Sequence, residues 1–170
     1  MNPLVRRTWA VSGETPILKT RTRSWKNLSG IGGLTLSPGR HRVGLLLDLY
    51  RETIKQPQAN EFLRHLLQHL RGHILLLWDR LSVHRGKKVA SFVEKHPRLH
   101  VEFLPPYAPE LNPIEYAWSW MKMGPMANKP IFDLDDLNNQ VQKTRDQIIT
   151  KQDRLKGFIN AAKIPIRFNL

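Results

Sequence analysis

Two carboxylates, Asp79 and Glu115, occupy positions in the sequence where acidic side chains could do chemistry. Asp79 directly follows the apolar run 74–78, Glu115 closes the segment Asn112-Pro-Ile-Glu115, and 35 residues separate the two acids. Ligands of open α/β sheets bind beyond the carboxyl ends of the strands, and carboxylate oxygens suit hard cations such as Mg²⁺. In a chain of net charge +13, the pair suggests metal-dependent chemistry on nucleic acid.

Each carboxylate also has a purely structural interpretation. Asp79 precedes Arg80-Leu-Ser and could accept hydrogen bonds in a turn or a helix cap. Asn112 is a good N-cap residue and Pro113 suits the first helical position. Glu115 would then be the third helical residue and could close a capping box with Asn112. The same position also favours an ionised metal ligand, because the amino end of a helix is positive.

Basic residues close to these acids in the sequence are candidate DNA contacts. A histidine near Asp79 could orient a metal-bound water, touch DNA or cap a helix, and the lysines could contact phosphate or simply be solvated. The candidates are His84, Arg85, Lys87, Lys88 and Lys122. The spacing of His65 and His69 is compatible with zinc, but a solvated pair is the favoured interpretation because no third ligand is evident.

The charge of the whole chain indicates a polyanionic partner. It contains 27 Lys or Arg residues against 14 acids, and residues 1–42 hold eight of the basic residues with one acid, so they carry +7 of the net charge. DNA phosphates attract such a surface; ribosomes or anionic lipid are the alternative. Trp9 and Trp25 lie in this region and could stack on an unpaired base, although we expect Trp9 to lie in the core.

Several classes of protein are disfavoured by composition. With no cysteine among its 170 residues, the chain has neither disulfides nor thiolate metal sites, which fits a reducing compartment. Its longest apolar runs fall far short of the roughly 20 residues that span a bilayer, and it begins without a signal-peptide pattern. We expect a single-domain protein of the cytoplasm or nucleoid, with no membrane partner.

The hydrophobic pattern predicts an α/β fold. Strands are predicted over 4–11, 26–36, 43–50, 74–78 and 100–104. Helices are predicted over 59–71, 84–95, 113–122 and 133–162. The first three strands form an antiparallel meander and the strand 74–78 is apolar on both faces, as in a covered central strand. This order favours a mixed sheet flanked by helices.

Three details of these elements can be tested. Gly30, Gly32 and Gly33 indicate a bulge or a close backbone approach in the second strand. Gly72 is expected to end the first helix. Asp133 is expected to cap the last helical region.

Two segments together closely resemble the catalytic core of DDE transposases, in the bacterial insertion-sequence branch allied to the mariner superfamily. They are Trp78-Asp-Arg-Leu-Ser-Val-His-Arg85 and Leu104-Pro-Pro-Tyr-Ala-Pro-Glu-Leu-Asn-Pro-Ile-Glu115, the second followed by Trp118. The segment 7–16 resembles the family's sequence after its first strand. The resemblance covers residues 3 to about 165, and the proline-rich block is its most specific part.

The resemblance implies an RNase H-like fold and metal-dependent phosphoryl transfer. It makes Asp79 the second and Glu115 the third of three acids that bind two divalent cations, Mg²⁺ or Mn²⁺. One cation activates water or a DNA 3′-hydroxyl and the other stabilises the leaving oxygen. The implied partners are the DNA ends of a mobile element and its target.

The family's first acid has no counterpart among the candidates in the chain. The resemblance places it on a first strand just before residues 4–16, and neither Glu14 nor Asp48 matches its position. We therefore expect residues 1–170 to be a single RNase H-like domain missing its first strand, without the family's helix-turn-helix region. Such a chain is expected to be poorly stable and inactive alone, and to work with the missing N-terminal half or as a homo-oligomer.

Two other functions remain open. One is a non-catalytic DNA-binding transposase remnant that regulates a full-length enzyme. The other is a different RNase H-like nuclease, which the proline-rich block disfavours.

Overall fold

Four strands and five α-helices form the part of the chain that this computed structural model describes, namely residues 6–15, 17, 28–39 and 41–164. The strands are β1 (Ser29–Leu36), β2 (Val43–Tyr50), β3 (Ile74–Trp78) and β4 (Leu99–Phe103). The helices are α1 (Gln56–His69), α2 (Lys87–Glu94), α3 (Pro113–Met123), α4 (Leu134–Ile149) and α5 (Gln152–Ala161), with a short 3₁₀ helix at Pro109–Leu111.

Strands β1 and β2 form an antiparallel hairpin. Their register runs without interruption from Ser29 opposite Tyr50 to Leu36 opposite Val43, so the glycines of β1 do not form a bulge. A Cβ at Gly30 would lie 3.0 Å from Cη2 of Trp118. The prediction of a close approach at the glycines is therefore confirmed, and the group that approaches is the Trp118 side chain of α3.

Strands β3 and β4 are parallel and are joined through α2. The register pairs Ile74 with Leu99 and Trp78 with Phe103. This β-α-β unit agrees with the predicted strands to within a residue. Its helix begins later than predicted, at Lys87, because residues 82–85 form turns in which His84 N–H bonds the Leu81 carbonyl at 2.9 Å.

The two strand pairs are separate two-stranded sheets in the described chain. The prediction that β3 is covered on both faces is wrong for this structure, because Leu75 and Leu77 are 65% and 39% exposed. Ile74 and Trp78 point to the opposite face and are buried. Strand β3 has β4 as its one strand partner in this part of the chain, and its second apolar face is uncovered.

Helix α1 lies against both sheets. Phe62, Leu63 and Leu66 are buried in one hydrophobic cluster with Ile31 of β1 and residues of β3. This shared cluster holds the two sheets beside each other although they exchange no ladder hydrogen bonds.

The C-terminal helices cover the other face of the hairpin. Val43 and Leu45 of β2 pack with residues of α3 and α5, while Leu47 packs with Val141 of α4. The side chain of Gln152 also pairs with the outer edge of β2: its amide accepts from Val43 N–H and donates to the Val43 carbonyl, both at 2.9 Å.

The helix boundaries follow the expected local signals. Helix α1 ends at His69 with Leu70 as its C-cap, and Gly72 follows with a φ of 73°, close to the predicted stop. The Arg98 guanidinium bonds the carbonyls of Leu67, Leu70 and Gly72 at this end. Asp133 caps α4 as predicted, accepting from Asp136 N–H at 2.8 Å, but the region 133–162 is two helices rather than one.

The predicted first strand, residues 4–11, is wrong where it can be examined. Residues 6–11 have no regular secondary structure, and Trp9 is 100% exposed, against our expectation that it is a core residue. A strand needs a neighbouring strand to pair its backbone groups, and none lies beside this segment in the described chain. Trp25 lies outside the described residues.

Candidate active site

Asp79 follows β3 and accepts two hydrogen bonds through one oxygen. Its Oδ1 lies 3.1 Å from Leu81 N and 2.6 Å from His84 Nδ1. The first bond is the turn role that the sequence allowed. Both donors use Oδ1, and Oδ2 has no hydrogen-bond partner among the described residues. The Asp79 side chain is about one-third exposed.

The surroundings of Asp79 favour its ionised form. Burial raises the pKa of this carboxyl, but hydrogen bonds from His84 and the Leu81 N–H, together with the charge of His84, outweigh burial and place the pKa below its ordinary value. An ionised, half-buried carboxylate with one free oxygen is suited to bind a cation.

The proline-rich loop is tied to the strand that carries Asp79. Leu104 N–H bonds the Trp78 carbonyl at 2.8 Å, and Arg80 Nε donates to the Leu104 carbonyl at 2.9 Å. The loop then passes through the 3₁₀ helix to α3 and Glu115. A short, proline-restricted connection therefore runs from the Asp79 edge of the sheet to the amino end of α3.

Glu115 lies in the first turn of α3 and is exposed. Asn112 is the N-cap and Pro113 the first helical residue, as predicted, but the Asn112 side chain makes no capping bond. The contact between Asn112 and Glu115 is a backbone bond of 3.1 Å from Glu115 N–H to the Asn112 carbonyl. The predicted capping box is thus absent, and in the described chain the Glu115 carboxylate has no hydrogen-bond or ion-pair partner.

Helix α3 is fixed to the core by its apolar face. Ile114, Ala117 and Met121 are buried, and Trp118 packs over the glycines of β1. Glu115 therefore projects from a helix whose position is set by close packing.

The structure separates the candidate DNA contacts into two groups. His84 is 6% exposed: its imidazole is turned inward, stacks on Trp78 and bonds Asp79. Arg85, Lys87 and Lys88 are exposed, and Lys122 is half-buried.

Two residues of interest were missed from the sequence. Arg80 is exposed, and the bond from its Nε leaves the two terminal amino groups without a partner in the described structure. Tyr107 is fully exposed and has a φ of 57°, an uncommon conformation for a bulky residue. The charge of Arg80 beside Asp79 was a usable signal, whereas the backbone conformation of Tyr107 has none in the sequence.

A polar cavity of about 470 Å³ lies between β2, α1 and α4 and includes neither Asp79 nor Glu115. There His65 Nδ1 lies 2.7 Å from Asp48 Oδ1. Burial, followed by the charges of Glu61 and Asp48, raises the pKa of Tyr50. Asp48 is thus engaged with His65, which is not simply solvated; its ring also contacts that of His69, with centroids 4.3 Å apart.

The described residues contain no group of three or more His, Cys, Asp or Glu side chains that could hold a metal ion. Asp79 and Glu115 nevertheless have the chemistry that a hard cation prefers: oxygen ligands, an ionised state at Asp79, and free oxygens on both. Each of the two side chains therefore has the donor chemistry of a carboxylate metal ligand. In the described part of the chain, no helix has the length and apolar character needed to cross a membrane.

Comparison with known structures identifies the fold. The Mos1 strand transfer complex is 14% identical, with a TM-score of 0.56, and the match covers 98% of this chain and 52% of that chain. The Mos1 transposase paired-end complex with the left transposon end is 15% identical, with a TM-score of 0.57, and the match covers 95% of this chain and 51% of that one. The predicted RNase H-like α/β fold is confirmed.

Comparison of sequences identifies the family. An uncharacterized protein, y4pE/y4sA of Sinorhizobium fredii, is 32% identical over 66 residues, 39% of this chain and 46% of that protein. The chain thus spans about half the length of these relatives. A profile of the DDE superfamily endonucleases matches residues 2–138, and nucleases of this superfamily use divalent metal ions. Because that match covers most of the chain and both predicted acids, the chain belongs to the DDE superfamily of endonucleases.

Proposed function

We propose that this chain is the catalytic portion of a transposase, which cuts and joins DNA by metal-dependent phosphoryl transfer. The observation that carries the proposal is the pair of carboxylates: Asp79 is ionised and fixed through one oxygen, and Glu115 is left free by the absent capping box. The similar Mos1 structures are described as transposase complexes with transposon ends and strand transfer, which supports DNA ends as the substrate.

Asp79 and Glu115 would hold Mg²⁺ or Mn²⁺ at this site, and a Mos1 mariner paired-end complex has been solved with Mn. When bound, such cations activate water or a DNA 3′-hydroxyl and stabilise the leaving oxygen in an in-line displacement. The residues of the chain would set the geometry. The turn after β3 orients Asp79, while packing of α3 fixes Glu115 and the amino end of that helix favours its negative charge.

A third carboxylate would come from a strand lying between β1 and β3. In this proposal residues 1–170 form one RNase H-like domain that is completed by polypeptide preceding Met1, either in the same protein or as a separate half. Three observations support it: β1 and β3 each have a single strand partner in the described chain, both pack on α1, and the apolar Leu75 and Leu77 are exposed.

The basic side chains beside this site would hold the DNA backbone. Arg85, Lys87 and Lys88 are exposed at the amino end of α2, one short turn after Asp79. The terminal amino groups of Arg80 have no partner among the described residues and its Nε is anchored on the loop, so it could bind a phosphate bidentately. Lys122 lies two turns after Glu115 on α3 and would contact a phosphate farther from the two carboxylates.

A cleavage assay tests this function. The protein supplied with its preceding segment is incubated with labelled element ends in Mg²⁺ or Mn²⁺, and strand nicking is measured. We expect Asp79→Asn and Glu115→Gln to abolish nicking while leaving the fold intact. Glu110→Gln, in the same loop, is the matched control and should retain activity. Nicking that survives both site substitutions would refute the assignment.

A second function, that of a non-catalytic DNA-binding regulator, is favoured by one observation: two carboxylates are fewer than a DDE site uses, and the described residues supply no third. In that case the chain would bind DNA in a salt-sensitive manner with the same affinity with or without metal. Filter binding at low salt, with and without EDTA, separates the two functions. A regulator would also bind equally well after Asp79→Asn and Glu115→Gln.

A further inference from the structure

His84 is held by contacts on three sides. Its Nδ1 lies 2.6 Å from Asp79 Oδ1, and its ring stacks on Trp78 with centroids 3.9 Å apart and planes inclined at 24°. Its backbone N–H bonds the Leu81 carbonyl at 2.9 Å, which closes the turn after β3. With 6% exposure, the imidazole is buried, and these contacts fix its orientation.

The two oxygens of the Asp79 carboxylate differ in their hydrogen bonding. Oδ1 accepts from His84 and from Leu81 N–H, and Oδ2 accepts from no group in the described chain. An aspartate on a strand end can rotate about its side-chain torsions. Two donors on one oxygen, one of them on a ring locked by stacking, select the rotamer in which Oδ2 faces away from the turn.

We propose that His84 is a positioning residue for the metal-binding carboxylate, which fixes Asp79 through Oδ1 so that Oδ2 is presented to the cation. This inference rests on the proposed function, because it concerns the same site. Partners that orient a ligand in this way commonly matter nearly as much as the ligands, and their loss weakens metal affinity by about 10- to 100-fold.

The protonation of His84 Nδ1 can be tested without any metal. A carboxylate oxygen accepts, so Nδ1 of His84 must carry a proton and donate it to Oδ1. Long-range ¹⁵N–¹H NMR correlation on the 170-residue chain should show a protonated Nδ1 at His84. The Nδ1 resonance should shift in Asp79→Ala. An unprotonated Nδ1, or a spectrum unchanged by Asp79→Ala, would overturn the proposal.

Matched substitutions test the positioning role itself. Asn places an amide donor near the position of Nδ1, whereas Gln places it near Nε2. Mn²⁺ affinity, measured by the EPR signal of free Mn²⁺, should fall about 10- to 100-fold in His84→Gln and His84→Ala and remain within a few-fold of the parent in His84→Asn. Circular dichroism and a thermal melt of each variant show that the comparison is made between folded proteins.

The outcomes separate this inference from the proposed function. If Asp79→Ala abolishes Mn²⁺ binding but His84→Ala and His84→Gln leave it unchanged, His84 has no positioning role and the metal assignment stands. If Asp79→Ala itself leaves Mn²⁺ binding unchanged, the metal assignment fails, and the positioning role fails with it. Equal losses in His84→Asn and His84→Gln would indicate a packing role only and would contradict the proposal.

Discussion

At the scale of single residues, the functional and structural interpretations of Asp79 turn out to be compatible. The sequence presented a turn acceptor and a metal ligand as alternatives. In the structure the turn N–H and His84 both bond Oδ1, and Oδ2 has no partner among the described residues. Glu115 differs: its structural alternative required the capping box with Asn112, and that box does not form. A capping box depends on side-chain torsions, which residue spacing does not determine.

The lowered pKa of Asp79 predicts a pH dependence of stability. Because the pKa in the folded state lies below its ordinary value, ionised Asp79 stabilises the fold above that ordinary value, and this contribution is lost as the pH falls through the folded pKa. Asp79→Asn removes the charge at every pH. We therefore expect the parent to be more stable than Asp79→Asn near neutral pH, with the difference shrinking in acid.

Urea unfolding in EDTA at several pH values between neutral and strongly acidic measures this difference. The side chain is about one-third exposed, so solvent screening keeps the effect modest. Glu110→Gln, with an exposed carboxylate in the same region, should show no comparable pH-dependent difference. A gap between parent and Asp79→Asn that widens in acid would contradict the sign of the pKa shift.

At the scale of elements, a strand predicted from its hydrophobic pattern is correct where another strand lies beside it to pair with. Strand β2 occupies the predicted residues 43–50, since its apolar residues pack on both faces and β1 pairs with it. The segment 4–11 has a similar pattern, but its described residues 6–11 have no strand beside them in the described structure. A hydrophobic pattern indicates that a segment can form a strand, but the backbone partner is a property of the tertiary structure.

The glycines of β1 should be sensitive where α3 approaches. A Cβ at Gly32 would lie 3.2 Å from Trp118 and 3.3 Å from both the Ile114 side chain and the Leu46 carbonyl oxygen. Overpacking of this kind destabilises by about 1–3 kcal/mol. We expect that loss in the free energy of unfolding of Gly32→Ala, measured by urea denaturation.

Gly33→Ala is the matched control on the same strand. Its Cβ would meet Phe62 at 3.5 Å, an ordinary van der Waals distance, and replacing a strand glycine relieves an entropic cost of about 0.5–1 kcal/mol. Gly33→Ala should therefore be as stable as the parent or slightly more so. Equal effects of the two substitutions would mean that Trp118 does not press on β1 as described.

At the scale of the whole molecule, the family could be predicted from sequence, whereas the environment of the two candidate acids could not. The motif residues around Asp79 and Glu115 are local in sequence and specific. The inward turn of His84 depends on stacking with Trp78, and the exposure of Leu75 and Leu77 depends on the absence of a covering element in the described chain. Neither follows from residue type or spacing.

The uncovered face of β3 predicts aggregation of the 170-residue chain. Leu75 is 65% exposed beside a strand edge that has no partner among the described residues, and such surfaces promote association. Leu75→Lys should reduce light scattering during a thermal ramp without loss of secondary structure. Leu76→Lys is the comparison, since Leu76 packs on the core and its replacement should destabilise the fold. Equal scattering by Leu75→Lys and the parent would count against this surface.

The net charge of +13 predicts DNA binding that weakens steeply with salt. If Lys87 and Lys88 each neutralise a phosphate, replacing both by Ala should reduce the slope of log K against log salt by about 1.8. Lys143→Ala with Lys151→Ala removes the same charge from exposed positions at α4 and α5 and should change the slope less. Equal slopes for the two double variants would mean that the salt dependence comes from the net charge of the protein and not from contacts of Lys87 and Lys88.

The central claim is that Asp79 and Glu115 together hold a divalent cation, and paramagnetic broadening by Mn²⁺ tests it most directly. Amide signals of the isotopically labelled chain are recorded as Mn²⁺ is added. We predict broadening at residues 79–82 and 112–116, with little effect at residues 48–50 and 61–65 around the polar cavity between β2, α1 and α4. Broadening centred on that cavity, or none near Asp79 and Glu115, would contradict the claim.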